Sequence, residues 1–413
     1  MEFDLVLRNV RLPGSKPDHP TTDIGVSKGR IAAIAPKLGG TAKEDVQGHG
    51  RLVCSGFVET HIHLDKACIL GRCEHTTKRS PHMAMERVSA VKHTMTVEDT
   101  IERASATIEK CIGHGATRMR THAEVDPKIG MRGFEGVRAL VDKYKWAIDL
   151  EICVMPQEGL TNNPGTDELM VAALKSGATV VGAAPSYDSD SSAQIRRVFE
   201  MAREFDIDID MHVDSGPTAD HLDTLLVCDL AEKYKWGGRV AVGHVGKLAT
   251  MPFKDLDRVA RRMADTGVAA TVLTATDLYL GGRHTDHNVP RNVVDANRLT
   301  EQGVLCSVAS NNILNPFTPF GDGQLLRQVN MHAIVTQRGN DDEVQTLWDM
   351  TTATAAKLMR KDDYGIKVGG PADLVVLDAT DSVTALRTVA PVLAAWKNGR
   401  RTVTREPVKL HRP

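Results

Sequence analysis

The chain has 413 residues and a hydrophobic content of 41%, enough to bury a large core in about two domains or in one barrel with an accessory part. With 51 basic and 53 acidic residues its net charge is -2, and no apolar run reaches the ~20 residues of a membrane span, so we expect neither a nucleic-acid nor a membrane partner. Seven scattered cysteines without a Cys-x-x-Cys motif, and a start without a signal-peptide pattern, are typical of a cytoplasmic protein.

The two ends of the chain have the pattern of short β-strands. Between residues 4 and 34, apolar and polar side chains alternate in three runs that are separated by Gly and Pro. Near the other end, two similar runs flank Asn398-Gly399, which predicts a hairpin. We therefore expect residues 1–55 and 363–413 to pair into one small β-sandwich.

Between residues 56 and 362, apolar strand-like runs alternate with amphipathic segments. Parallel strands that helices cover on both sides have this pattern, and eight such units are what a (β/α)8 TIM barrel needs. A doubly wound open sheet is the alternative, and it is disfavoured because no Gly-x-Gly-x-x-Gly follows the first run. The predicted strands are 52–58, 116–122, 149–155, 179–184, 207–213, 238–243, 267–274 and 303–309.

Histidines follow four of the eight predicted strands, at the end of a barrel where catalytic residues collect. His61 and His63 are two residues apart, so a strand would present both imidazoles on one face. With His212, at the end of the fifth strand, they make a three-imidazole set with open positions, as in a catalytic metal site. An ion held there would make water reactive near neutral pH. His122 ends the second predicted strand, and His244 follows the sixth.

Several segments of the chain carry the motifs of one superfamily: Thr60-His61-Ile62-His63-Leu64-Asp65 and residues 120–122, 156–159, 210–214, 243–244, 315–321 and 371–377. Through them the chain resembles the amidohydrolase superfamily, and within it the branch of cytosine deaminase and N-isopropylammelide amidohydrolase. The resemblance implies a (β/α)8 barrel with a β-sandwich from both termini, one zinc or iron ion, and hydrolysis of C–N bonds in small nitrogen heterocycles. It also implies a homo-oligomer.

The resemblance assigns roles to individual residues. His61, His63 and His212 would bind the metal. His244 would polarise the attacked group or the water, and Gln157 would read the amide edge of the ring. The further predicted substrate contacts are His122, Lys66 and Asn312, although a solvated lysine is an equally good interpretation of Lys66.

Two positions depart from the family pattern. At the end of the eighth strand the family has an aspartate that touches the metal and takes the proton of the water, and here the matching residue is Asn311. An amide can offer its oxygen to a metal, but it cannot act as a base near pH 7. Cytosine deaminases also use a glutamate after the fifth strand to shuttle protons, and here Ser215 takes its place beside Asp214.

Three explanations of these departures remain open. Proton transfer has moved to Asp214, His244 or another carboxylate, and the enzyme hydrolyses a related substrate. Alternatively, Asn311 inactivates the site, and the protein is an impaired relative that binds metal or ligand. In the third explanation the alignment is shifted, and another acid such as Asp322 has the role. We expect the first, with His244, Asp214 and Asn311 as catalytic residues and Asn311 also as a metal ligand.

Overall fold

The computed structural model describes residues 2–15, 19–76, 82–406 and 408–411. None of the helices in these residues combines the length and apolar composition needed to cross a bilayer. The strands are β1 (Glu2–Val10), β2 (Thr22–Ser27), β3 (Arg30–Ala35), β4 (Thr41–Gln47), β5 (Val53–Ser55), β6 (Phe57–Ile62), β7 (Ala116–Glu124), β8 (Asp149–Met155), β9 (Val180–Val181), β10 (Asp208–Val213), β11 (Val240–His244), β12 (Val268–Val272), β13 (Cys306–Val308), β14 (Leu374–Leu377), β15 (Val392–Lys397) and β16 (Arg400–Thr404). The α-helices are α1 (Met83–Val91), α2 (Val97–Gly113), α3 (Arg132–Tyr144), α4 (Thr166–Lys175), α5 (Ser191–Phe205), α6 (Asp223–Tyr234), α7 (Phe253–Thr266), α8 (Thr274–Leu280), α9 (Ala296–Glu301), α10 (Leu325–Thr336), α11 (Asp341–Asp349), α12 (Ala353–Leu358) and α13 (Ser382–Thr388).

Eight parallel strands, β6 to β13, form one sheet in the order of the chain. The first and last strands meet beside Ile62 and Asn311. There the backbone N–H of Asn311 donates to the carbonyl of His61 over 2.8 Å, and the N–H of His63 donates to the carbonyl of Asn311 over 2.8 Å. These bonds close the sheet, and one large apolar core joins it to the helices around it. The predicted (β/α)8 barrel is confirmed.

Local sequence signals explain individual helices, and α2 is a clear case. The side chain of Thr96 accepts a hydrogen bond from the backbone N–H of Asp99 over 3.1 Å, which caps the helix as its sequence predicts. Ala104, Ile108 and Ile112 recur every four residues and are buried against the barrel.

The apolar run at residues 52–58 is two strands and not one, which corrects the prediction. β5 pairs with β14 in a sheet built mostly from C-terminal strands, whereas β6 begins the barrel. Gly56 separates them. A Cβ atom there would lie 2.1 Å from Cγ2 of Thr117 in β7, so the close approach of the chain to β7 at this point requires glycine.

The remaining strands form two four-stranded sheets beside the barrel. Their orders are β3-β2-β1-β4 and β16-β15-β14-β5. Leu5, Leu7, Val26, Leu374 and Trp396 belong to one apolar core that both sheets share. The termini therefore build β-structure together, as predicted, and Asn398-Gly399 connects β15 to β16. The strand β4 was not predicted, because its charged residues leave it exposed or half-buried throughout.

The amphipathic stretch at residues 343–358 reads as one helix in the sequence, but the structure divides it into α11 and α12. The hydroxyls of Thr351 and Thr352 donate to the carbonyl of Trp348 over 2.9 and 3.1 Å. Such side-chain bonds compete with the backbone bonds of a helix and account for the interruption.

Candidate active site

A cavity of about 240 Å³ opens at the carboxyl ends of the barrel strands. Its lining includes His63, Gln157, His212, His244 and Asn312. The sequence predicted each of these side chains as a metal ligand, a catalytic residue or a substrate contact. The structure brings all five to one space, which is large enough for a small ring compound.

Four imidazoles lie together, two of them in the cavity lining, and we call His61, His63, His122 and His212 the imidazole cluster. Nε2 of His212 is 2.9 Å from Nε2 of His61 and 2.9 Å from Nε2 of His63. The ring of His122 packs on that of His61 with centroids 3.8 Å apart. The Nδ1 atoms of all four rings are buried and have no hydrogen-bond partner among the described residues. The two short distances show that the Nε2 atoms of His61, His63 and His212 converge.

The converging rings are neutral at pH 7. Burial, together with the neighbouring His122, lowers the pKa of His61 to about 3. Burial is also the main reason why the pKa values of His63 and His212 lie well below their ordinary value. Neutral imidazole is the form of histidine that binds metal ions.

Asp210 supports the cluster from below. Its Oδ1 atom lies 3.3 Å from Nδ1 of His61 and 3.6 Å from Nε2 of His122. Arg120 donates to its Oδ2 atom over 3.2 Å and so holds the carboxylate in place. A carboxylate behind an imidazole fixes the direction of the ring and makes the opposite nitrogen a better ligand.

Asn311 lies next to the cluster with a left-handed backbone, φ +59°. Its side chain is buried, and neither Oδ1 nor Nδ2 has a hydrogen-bond partner in the described part of the chain. A buried polar group without a partner costs about 1–3 kcal/mol. Three neutral imidazole nitrogens with one free amide oxygen beside them are a donor set that suits a divalent ion such as zinc or iron.

His244 forms a pair with Asp277 at the cavity wall. Its Nδ1–H group donates to Oδ1 of Asp277 over 2.6 Å, and both residues line the cavity. Because the carboxylate accepts the Nδ1 proton, the neutral ring carries a free lone pair on Nε2. The sequence reasoning missed Asp277, whose one available signal was its place shortly after the seventh apolar run.

Two predicted substrate contacts lie outside the cavity lining. His122 is fully buried and precedes the end of β7 by two residues, so its ring lies one layer deeper, against Asp210. The ammonium of Lys66 donates to Glu124 and to Oε1 of Gln157, each over 3.1 Å. Lys66 is buried, so the interpretation as a solvated lysine is wrong, and its ammonium lies outside the lining of this cavity.

Two acids that were considered as proton carriers have structural contacts instead. The Oδ1 atom of Asp214 accepts the backbone N–H of Asp223, and its Oδ2 atom accepts that of Thr224, both over 2.9 Å. Asp214 therefore caps α6 and is not part of the cavity lining. Asp322 accepts a hydrogen bond from Nε of Arg327 over 3.2 Å, and it also lies outside the lining.

A second buried polar group lies beside the cavity, and we call Lys66, Lys92, Glu124, Asp126 and Glu158 the charge network. Nζ of Lys92 contacts Glu124 and Asp126, and it donates to Glu158 over 2.5 Å. Burial alone would lower the pKa of Lys92, but the three carboxylates raise it above its ordinary value. The acidic group thus already holds a cation.

Comparison with known proteins gives consistent matches. A model of the Amidohydrolase family, Amidohydro_3, matches residues 76–403. The chain is similar to N-isopropylammelide isopropyl amidohydrolase of Pseudomonas sp. (strain ADP), with 27% identity over 98% of this chain and 99% of the relative. Pterin deaminase of Rhizobium rhizogenes (strain K84 / ATCC BAA-868) is 25% identical over 86% of this chain and 82% of its own. The structure of 5-methylcytosine deaminase from Klebsiella pneumoniae, liganded with 5-fluorocytosine, superposes with a TM-score of 0.93 at 26% identity and covers 99% of both chains.

Proposed function

The chain belongs to the amidohydrolase family, and we propose that it hydrolyses an exocyclic C–N bond of a small nitrogen heterocycle with the help of one divalent metal ion. The observation that carries this proposal is the convergence of three neutral Nε2 atoms beside a cavity. His61, His63 and His212 would hold the ion, with the amide oxygen of Asn311 as a further ligand. When bound, such an ion supplies Lewis acidity and makes water a better nucleophile near neutral pH.

We assign the proton transfer to His244, held by Asp277. Asn311 has no group that titrates, and the oxygens of Asp214 are occupied by backbone N–H groups of α6. Asp277 keeps the Nδ1 proton of His244, so Nε2 takes a proton from the attacking water and gives it to the leaving nitrogen. A C–O bond forms as the C–N bond breaks, and the products are an oxo-heterocycle and ammonia or a small amine.

The similar proteins support a ring substrate. Their names refer to N-isopropylammelide, pterin and 5-methylcytosine. We therefore propose an amino- or alkylamino-substituted pyrimidine, triazine or pteridine as the substrate of this chain. Because these relatives are named as enzymes, they give no support to the alternative that Asn311 marks an impaired protein.

Assays of amine release test the proposal. Zinc- or iron-loaded protein is incubated with pyrimidines, triazines and pteridines, and ammonia and ring products are measured, the latter by mass. We expect at least one ring compound to lose ammonia or an amine, with activity that a chelator removes and added metal restores. Turnover that appears only after Asn311→Asp would instead favour the impaired alternative, and the absence of turnover from both proteins would refute the hydrolase.

A further inference from the structure

Gln157 cannot rotate freely, because Lys66 determines which end of its amide faces the cavity. An ammonium group has only hydrogen-bond donors, so the amide atom 3.1 Å from Nζ of Lys66 must be the oxygen, Oε1. The opposite atom, Nε2, then belongs to the cavity side of the residue. No described residue accepts a hydrogen bond from it. Gln157 thus offers the cavity an N–H donor.

Asn312 has the same polarity for a separate reason. The side chain of Asn315 has its Oδ1 atom fixed by the backbone N–H groups of Phe317 and Thr318, over 3.0 and 3.2 Å. Its Nδ2 group therefore points the other way and donates to Oδ1 of Asn312 over 2.7 Å. With Oδ1 occupied, Asn312 also offers Nδ2 to the cavity that it lines.

Both amides depend on the position of Lys66. Its Nζ atom fixes Gln157, and its backbone carbonyl accepts a second hydrogen bond from Asn315 over 3.2 Å. Lys66 in turn is held by Glu124, whose other carboxylate oxygen contacts Lys92. The side chains of Lys66 and Lys92 are each only 2% exposed, so water does not compete for these contacts. The charge network therefore sets the hydrogen-bonding character of the cavity wall.

We infer that the two amides form a double-donor wall, and that the substrate presents hydrogen-bond acceptors to it. This inference rests on the proposed function and refines its substrate class. Suitable acceptors are ring carbonyl oxygens and unprotonated ring nitrogens. An amino group of the ring at the same place would point its N–H donors at the N–H donors of the two amides, and no hydrogen bond would form. Lys66 is a positioning residue in this account, because it touches Gln157 and not the substrate.

Two matched pairs of ring compounds test the inference by isothermal titration calorimetry on metal-loaded protein. Cytosine and 2,4-diaminopyrimidine differ at C2, which carries an oxo group beside a ring N–H in cytosine and an amino group beside an unprotonated ring nitrogen in the diamine. Pterin and 2,4-diaminopteridine differ in the same way at C4. We expect the oxo member of at least one pair to bind at least about 100-fold more tightly, because a buried donor without an acceptor is costly.

Substitutions then identify the cause of this preference. In Lys66→Met the amide of Gln157 is free to turn over, so the preference should fall to about tenfold or less, while Lys66→Arg, which still donates to Oε1, should keep most of it. Gln157→Glu replaces the free donor by an acceptor and should remove or invert the preference. Lys128→Met is the matched control, because Lys128 is 59% exposed and its ammonium donates to Oε2 of Glu158 and to the hydroxyl of Ser89 but not to Gln157, and it should leave the preference unchanged.

Three results would overturn the inference: equal binding within both pairs, no binding of any of the four compounds, or a full preference in Lys66→Met. Ammonia release is measured in parallel, so that a failure of this inference can be distinguished from a failure of the proposed function. Release without a preference for the oxo compound would contradict the double-donor wall alone. A preference without release would support the wall and count against hydrolysis.

Discussion

The imidazole cluster and the charge network both have donor atoms that are close enough together to hold a cation. They differ in whether a cationic side chain already contacts those atoms. In both His61, His122 and His212 and the acidic trio Glu124, Asp126 and Glu158, the donor atoms lie within 4.8 Å of one another. The ammonium of Lys92 contacts all three acids. In the imidazole cluster, the Nε2 atoms of His61 and His63 contact only that of His212, and neither polar side-chain atom of the adjacent Asn311 has a partner among the described residues.

This difference shows that spacing alone does not identify a metal site. Buried polar atoms nearly always have partners, so buried atoms without them indicate a missing ligand. Atoms that a lysine already satisfies indicate a structural network. Substitutions in the imidazole cluster should therefore change activity and metal content. Substitutions in the charge network should change the stability of the fold and the orientation of the Gln157 side chain.

The largest expected effect is the loss of one imidazole. His212→Ala should lower the metal content to near zero and reduce amine release by at least about 10³-fold, since Lewis acidity contributes several kcal/mol. Elemental analysis and the amine assay measure both effects. The exposed His93, changed to alanine, is the control and should keep its metal and its activity. Full activity in His212→Ala would show that the cluster is not the reaction centre.

The charge network should respond in the opposite way. Lys92→Met removes the cation that three carboxylates share and leaves the buried Asp126 without any, so it should lower the free energy of unfolding by about 3–5 kcal/mol. Urea denaturation of metal-free protein measures this loss. Lys128→Met, at the exposed edge, should change stability by less than about 1 kcal/mol. A Lys92→Met variant that lost its metal but kept its stability would show that the charge network, and not only the imidazole cluster, is needed for metal binding.

A third substitution separates positioning from metal binding. Asp277→Asn keeps the size of the side chain but no longer fixes the proton of His244 on Nδ1. We expect kcat to fall about 100-fold with an unchanged metal content and a KM within about threefold. A proportional loss of metal, or an unchanged kcat, would remove Asp277 from the proton pathway.

The smallest expected effect depends on pH. Burial alone would raise the pKa of Asp126, but Lys92 and backbone N–H groups hold it below its ordinary value. The stability that this carboxylate contributes is therefore complete above about pH 4, where an unfolded aspartate is ionised, and is lost as the pH falls further. Asp126→Asn should cost about 1.5–3 kcal/mol at pH 7 and less near about pH 3. Denaturation at both pH values checks this, and an equal cost at both would contradict it.

The barrel and the ends of its strands could be predicted from the sequence, because apolar strand-like runs alternate with amphipathic segments along the chain. The spacing of His61 and His63 places both rings on one face of a strand wherever that strand lies. The family match likewise confirms the resemblance on which the assignment of Gln157 depends. Such features need only local geometry or a motif.

The direction of single side chains was not accessible in this way. Asp214 has a left-handed backbone, φ +55°, which turns its carboxylate towards α6 instead of the cavity. The depth of His122 depends on where β7 ends, and the partners of Lys66 lie 58 and 91 residues away in the chain. Asp277 lies in a short helix that no sequence motif marks. These positions follow from tertiary contacts that a local pattern does not contain.

The most direct test of the account is a crystal structure of the metal-supplemented protein, with anomalous diffraction measured at the zinc and iron absorption edges. We expect one anomalous peak among the Nε2 atoms of His61, His63 and His212, and no peak among the carboxylates around Lys92. An imidazole cluster without a peak, or a peak at the carboxylates, would contradict the central claim that only the unpartnered group binds the ion.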